Sequence, residues 1–287
     1  MIPAEFTYFA PKTVAEAIGL LQQHGDDAKL LGGGHSLLPA IKLRLSQPAV
    51  LIDVTKIAEL HGISANGHLT IGAGTTYAEV AASTEVAAAC HVLAECVGQI
   101  GDMQVRNRGT IGGALVHADP AADLPAVALA LGATLNAQGP GGSRTIAADD
   151  LFVDMLTTSV EPNEVVTSVE FPSLGAGEGA SYTKLKHPAS RYAIVGVCAY
   201  VKLDGGSVSQ CRIAVTGAGP KATRQSAAEA AMMGSAGDDA ALAAAAEHSG
   251  AEMEYLGDIH ASEEYRRAMV KVYTRRALTQ ALAHARG

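Results

Sequence analysis

The stretch from Lys29 to Pro39, K-L-L-G-G-G-H-S-L-L-P, constrains the fold more than any other part of the chain. Three consecutive glycines lose much backbone entropy on folding. A chain tolerates that loss where the backbone takes φ/ψ values closed to other residues, or lies against something that a Cβ would block. Leu30 and Leu31 read as the end of a buried strand. Ser36 reads as an N-cap, and Pro39 falls in the first turn of the helix that follows. Strand, glycine turn and helix start line up N–H donors at the positive end of a helix dipole, which suits an anion such as a phosphate. A glycine-rich surface turn is the plainer reading. Leu37 stands where a dinucleotide fingerprint needs its third glycine, and no G-K-[ST] triplet follows for a P-loop.

A second loop runs from Arg108 to Pro125, R-G-T-I-G-G-A-L-V-H-A-D-P-A-A-D-L-P. Thr110, Gly112 and Gly113 offer a hydroxyl and further backbone donors. Asp119-Pro120 breaks the chain, and Asp123 reads as a cap or first-turn acid of a helix over 121–131. Two such loops, far apart in sequence, can close on one diphosphate from both sides.

The 287 residues, 48% hydrophobic and 17% charged, are enough for two or three modest domains with sizeable cores. A formal charge of -8 with no lysine or arginine run argues against non-specific nucleic-acid binding. The four cysteines contain no C-x-x-C and read as buried small hydrophobes, so neither an iron–sulfur nor a zinc site is expected. The ten histidines form no H-E-x-x-H, and none is expected to ligate a metal. No apolar run approaches the ~20 residues of a membrane helix, and the first residues lack a signal-peptide pattern, so a soluble cytoplasmic protein is expected.

Thr13 and Glu16 form a T-x-x-E capping box for a helix ending at Gly25. Strands over 28–31 and 50–54 complete a small β-α-β-α-β unit closing near residue 55. A strand over 69–73, a second capping box at Thr76 and Glu79, and one helical stretch over 84–100 follow. Strands over 133–137 and 144–147 flank Gly139-Pro140-Gly141-Gly142, and a strand over 164–171 stops at Pro172. Leu174 to Ala180, L-G-A-G-E-G-A, reads as a linker. Three strands over 181–186, 194–203 and 208–216 come next, then alanine-rich helices from Arg224, the last over 262–285. Sheet followed by helices makes an α+β C-terminal domain. The expected division is 1–55, 56–177 and 178–287.

The opening M-I-P-A-E-F-T-Y-F-A-P-K, G-G-G-H-S-L-L-P at Gly32 to Pro39, Q-V-R-N-R-G-T-I-G-G at Gln104 to Gly113, Y-T-K-L-K at Tyr182 to Lys186, and Tyr192 occur in that order. Through them the sequence resembles, over essentially its whole length, the FAD-binding medium subunits of molybdenum hydroxylases, the xanthine dehydrogenase family, and within it the aerobic carbon monoxide dehydrogenase type. The resemblance implies an α+β fold: a two-part FAD-binding domain of the vanillyl-alcohol-oxidase/PCMH type, then a three-stranded antiparallel sheet with helices, the CO dehydrogenase flavoprotein C-terminal domain.

It further implies that Lys29, Leu30, Leu31, Gly32, Gly33, Gly34, His35, Ser36 and Leu37 wrap the FAD pyrophosphate. Thr110, Ile111, Gly112, Gly113 and Ala114 would close it from the other side. Ile100 would lie against the flavin, Asp123 would bond the ribityl or diphosphate region, and Val166 and Lys184 would add contacts. Tyr192 would stand beside the isoalloxazine ring and gate the electron acceptor. Ala114 departs from the asparagine of many relatives, which removes a side-chain bond and is expected to leave its N–H available. Each residue also has a plainer reading: His35 as a ring on neighbouring carbonyls, Asp123 as a helix cap, Lys184 as a solvated strand-edge lysine, Tyr192 as a surface aromatic.

The function so implied is electron transfer, with no catalytic residue and no metal in this chain. Substrate is oxidised at a molybdopterin centre in a large subunit. Electrons pass through [2Fe-2S] clusters of a small subunit to FAD here, and then to quinone, NAD or oxygen. A dimer of heterotrimers, peripheral to the inner membrane and without nucleic acid, is the implied assembly. A flavin subunit of a xanthine, nicotine or heterocycle hydroxylase, a stand-alone FAD reductase such as an enolpyruvyl-sugar reductase, and a non-redox anion-binding module remain alternatives.

Overall fold

The computed structural model describes residues 2–287. Strand β1 (Thr7–Phe9), helix α1 (Val14–His24), β2 (Ala28–Leu31), α2 (Leu37–Lys42) and β3 (Val50–Asp53) make the first unit, with the strands parallel in the order β1-β3-β2. Thr13 accepts the Glu16 N–H at 3.1 Å, but the Glu16 carboxylate accepts the Lys12 N–H, so the capping box is half formed. Helical spacing puts Val14, Ala17, Ile18 and Leu21 on one buried face, against Ala28, Val50 and Ile52. Gly25, at φ 52, ends the helix.

The second unit starts with β4 (Ile63–Ala65), β5 (His68–Gly72), α3 (Tyr77–Ala82), α4 (Thr84–Ala89), α5 (His91–Gly98), α6 (Met103–Arg106), α7 (Ile111–His117) and α8 (Leu124–Leu131). It ends with β6 (Thr134–Gly139), β7 (Gly142–Ala147), α9 (Ala148–Leu151), a two-stranded ribbon of β8 (Phe152–Asp154) and β9 (Thr157–Thr158), and β10 (Val165–Pro172). Its main sheet is antiparallel in the order β4-β5-β10-β6-β7. The full capping box at Thr76 and Glu79 starts α3. The helix expected over 84–100 is two helices, because the Ser83 hydroxyl starts α4 and Cys90 leaves helical geometry at φ -154 and ψ 70 while burying its side chain. Every residue of α8 is buried, since this helix lies between the second sheet and the strands that follow.

The third unit is β11 (Glu178–Lys186), β12 (Ala193–Asp204), β13 (Ser207–Thr216), β14 (Thr223–Arg224), α10 (Ser226–Met232), α11 (Asp239–His248) and α12 (Glu263–Arg286). Its antiparallel sheet has four strands rather than three, because β14 pairs with Ala214 and Val215 at the edge. Two residues are too few for an alternating pattern to signal. Helix α12 covers β11 and β12, closely enough at Gly179 that a Cβ there would overlap the Ala281 carbonyl oxygen. Arg212 donates to Leu129 O at the C-terminal end of α8 and, with Arg224, pairs with Asp149, tying this sheet to the second unit. Among the described residues no helix is long and apolar enough to cross a membrane.

Candidate cofactor site

The two glycine loops meet. A Cβ on Gly33 would overlap the Arg108 carbonyl oxygen and crowd Gly109 Cα, and one on Gly32 would stand 3.4 Å from Thr110 Oγ1. Gly34 turns the chain at φ 76, and α2 begins three residues later. Across this turn the N–H groups of Gly33, Gly34, His35 and Ser36 have no acceptor among the described residues; intrachain bonding resumes with Leu38 N–H to Gly34 O at 3.0 Å. Ser36 makes no side-chain cap either. Consecutive free donors at a helix start, backed by a wall too close for side chains, match the chemistry of a diphosphate. His35 Nδ1 lies 3.3 Å from Gly33 O with the residue exposed, as in its plainer reading. Lys29 is exposed on β2, Leu30 packs on the first unit's core, and Leu31 Cδ1 borders Gly34.

The second loop works differently from expectation. Ile111 N–H donates to Thr75 O, Gly112 N–H to Ala73 O, Gly113 N–H to Thr110 Oγ1 and Ala114 N–H to Thr110 O, at 2.9–3.1 Å. The donors expected to be free, that of Ala114 included, are engaged in holding α7 against the end of β5. Gly112 is required because a Cβ would overlap Ala73, and Gly109 because it would strike the Tyr77 ring. What this loop offers a ligand is a surface and the Thr110 hydroxyl, whose proton is left to donate. Val166 is buried at a bulge in β10, and the neighbouring Thr167 O accepts the Ala73 N–H at 2.9 Å, so that strand runs beside the same loop.

Asp123 sits at the N-cap of α8 without a side-chain cap bond. Its carboxylate instead accepts from the Tyr182 hydroxyl and from Lys184 Nζ at 2.9–3.0 Å. The Asp123 and Lys184 side chains are 4% and 1% exposed, so neither the cap nor the solvated-lysine reading holds. Burial pushes the Asp123 carboxyl above its ordinary value, against the pull of Lys184 and Tyr182. Lys184 also donates to Gln99 O at 3.1 Å and Arg191 O at 2.8 Å. Arg106 donates to Ile100 O and Gly101 O, and Arg191 to Gly101 O, at 3.1–3.2 Å. Three cations therefore grip the consecutive carbonyls of residues 99–101 and fix Ile100 between them.

Sequence reasoning does not single out Arg106 or Arg191. Arg106 lies within Q-V-R-N-R, but nothing local reveals what it reaches; Arg191 carries no signal beyond standing next to Tyr192. Tyr192 follows the left-handed Arg191, at φ 63, and is 44% exposed. Partial burial and the nearby Asp119 raise its phenol, while the Ser36 hydroxyl of the first glycine loop pulls it down.

A family model described as the FAD binding domain in molybdopterin dehydrogenase matches residues 4–174, and one described as the CO dehydrogenase flavoprotein C-terminal domain matches residues 180–281. The carbon monoxide dehydrogenase medium chain of Hydrogenophaga pseudoflava is 42% identical over 99% of both chains. The 6-hydroxypseudooxynicotine dehydrogenase complex subunit alpha of Paenarthrobacter nicotinovorans is 36% identical over 100% of this chain and 97% of its own. Among solved structures, carbon monoxide dehydrogenase from H. pseudoflava superposes with a TM-score of 0.97 at 44% identity, covering 99% of each chain. Quinoline 2-oxidoreductase from Pseudomonas putida 86 superposes at 0.93 with 31% identity, covering 99% of each. The chain belongs to the family of FAD-binding medium subunits of the molybdenum hydroxylases, in which the carbon monoxide dehydrogenase medium chains are found.

Proposed function

We propose that this chain carries FAD as the electron-transfer subunit of a molybdenum hydroxylase complex of the carbon monoxide dehydrogenase type. The observation that carries the reading is the contact of Gly33 with Arg108 and Gly109 beneath a run of unpaired N–H donors. FAD, when bound, supplies the redox chemistry by accepting electrons and passing them on. The residues of this chain bind and orient it. The stretch Lys29–Leu37 receives the diphosphate on the N–H groups of Gly33, Gly34, His35 and Ser36. The stretch Thr110–Ala114 backs it, with the Thr110 hydroxyl as a further donor.

Ile100 is the surface for the flavin ring, and Val166 an apolar wall. Lys184, held by Asp123, fixes the Gln99 and Arg191 carbonyls by donating to both. Lys184 is neutralised by Asp123, but Arg106 and Arg191 have no carboxylate partner among the described residues and favour added negative charge nearby. Tyr192, half-exposed at the rim, is the residue an external acceptor meets. The units 1–55 and 56–177 form the two halves of the flavin domain, and 178–287 closes it.

The partners are a small subunit with [2Fe-2S] clusters and a large subunit with molybdopterin, arranged as a dimer of heterotrimers. Quinone, NAD or oxygen takes the electrons, and carbon monoxide is the substrate of the complex. Purification from the native source tests this. One FAD per chain, molybdenum and iron in two co-purifying polypeptides, and dye reduction driven by carbon monoxide are expected. A flavin-free monomer, or a complex reduced by an N-heterocycle and not by carbon monoxide, contradicts it at the cofactor or the substrate level respectively.

A further inference from the structure

Away from the cofactor loops, His91 at the start of α5 and His284 near the end of α12 converge on the backbone of β11. His91 Nε2 lies 3.0 Å from His284 Nδ1 and 3.1 Å from Ala180 O, and His284 Nδ1 lies 2.8 Å from the same oxygen. The rings stand edge to face at 88°, with centroids 4.6 Å apart. His91 is half-buried and His284 exposed, so the triangle is open to solvent on one side.

Hydrogen bonds do not account for this triangle. Each of its three short edges needs a proton between its atoms to be attractive, and neutral imidazoles can bring at most one proton each to these nitrogens. If both bring one, two N–H groups face each other. If one does, a nitrogen lone pair faces a lone pair of the carbonyl. A cation in front of the three atoms satisfies all of them together. Two ligands at right angles, each about 2.1 Å from a metal, stand about 3.0 Å apart, whereas a tetrahedral pair stands about 3.4 Å apart. The observed edges match the right-angle case.

We propose that His91 Nε2, His284 Nδ1 and the Ala180 carbonyl form one face of a site for a six-coordinate divalent first-row metal ion, with water completing the shell. Imidazole is the suitable donor for such ions. Among the described residues no three His, Cys, Asp or Glu side chains gather around a metal, and here the third protein donor is a main-chain oxygen. The ion would join α5 of the second unit to α12 and β11 of the third, a clasp independent of the flavin site.

The test is calorimetric titration of the untagged, flavin-loaded chain with nickel(II), beside thermal melting with and without the ion. Wild type should bind about one equivalent saturably and melt higher with nickel. His91→Ala and His284→Ala should each lose both effects, and so should His91→Gln, which keeps a hydrogen-bond donor but no imidazole. His68→Ala, at an exposed histidine elsewhere, should keep both. Absence of saturable binding in wild type, or binding unchanged in the His91 and His284 variants, overturns the proposal.

Discussion

Gly33 lies against Arg108 so closely that a single methyl group on its Cα would overlap the Arg108 carbonyl oxygen. The glycine is therefore demanded by the approach of one loop to another, before any ligand is considered. Gly33→Ala, which adds no charge, should force the loops apart at a cost of about 1–3 kcal/mol and lower the flavin-to-protein ratio several-fold. Gly33→Asp should be no milder. Gly141→Ala, where a Cβ meets nothing within 4 Å, should keep full flavin content. Absorbance of the gel-filtered variants in the oxidised-flavin band gives the ratio, and normal content in Gly33→Ala contradicts the steric account.

Lys184 and Asp123 are charges that depend on each other. Lys184→Met should destabilise the protein by about 3–5 kcal/mol, because it leaves a buried carboxylate without its cation and two carbonyls without a donor. The double variant Asp123→Asn with Lys184→Met should recover much of the stability while leaving Gln99 O and Arg191 O unpaired. Its flavin potential should then differ from wild type although its melting temperature is close. Denaturant melts of the single and double variants, with redox titration of the latter, separate the two effects. Additive losses of stability would count against the coupling.

Asp149 joins the second and third units through Arg212 and Arg224. Burial pushes its carboxyl up, but the two guanidiniums outweigh that and leave it below the ordinary carboxylate value. A depressed folded-state pKa gives stability that is present above the unfolded value, about 4, and is lost as pH falls through the folded one. Because Asp149 is half-exposed, its contribution is about 1 kcal/mol. Asp149→Asn should lower the melting temperature by a few degrees at pH 7, with the gap to wild type closing below about pH 4. A gap that widens on acidification contradicts the sign.

Tyr192 is 44% exposed and supplies no backbone donor to the cradle. Tyr192→Ala should leave flavin content unchanged and alter the rate at which an external acceptor reoxidises the reduced complex. Stopped-flow reoxidation measures this, and an unchanged rate for every acceptor tried removes the gating role.

Much of this was legible in the sequence because it is local. The capping residues Thr13 and Thr76, the helical spacing of Val14, Ile18 and Leu21, and the apolar strand runs that became β10 to β13 are written within a few residues of each other, and the structure keeps them. The glycine loops were legible as loops, but the division of labour between them was not. Whether the N–H of Gly112 faces a ligand or Ala73 O depends on a strand forty residues away in the chain, roughly. Asp123 reads as a cap for the same reason: its partner, Lys184, comes from β11 in the third unit. The break at Cys90 left no glycine or proline as a marker.

The central claim is that the first glycine loop supplies the backbone donors for the FAD diphosphate while the second forms a wall whose donors are already used. Residue-resolved amide hydrogen exchange of the chain with and without FAD tests it most directly. Binding should slow exchange sharply at Gly33, Gly34, His35 and Ser36, and change little at Gly112, Gly113 and Ala114, which are protected beforehand. Protection gained on the second loop, with Gly33 to Ser36 still exchanging freely in the presence of FAD, would contradict it.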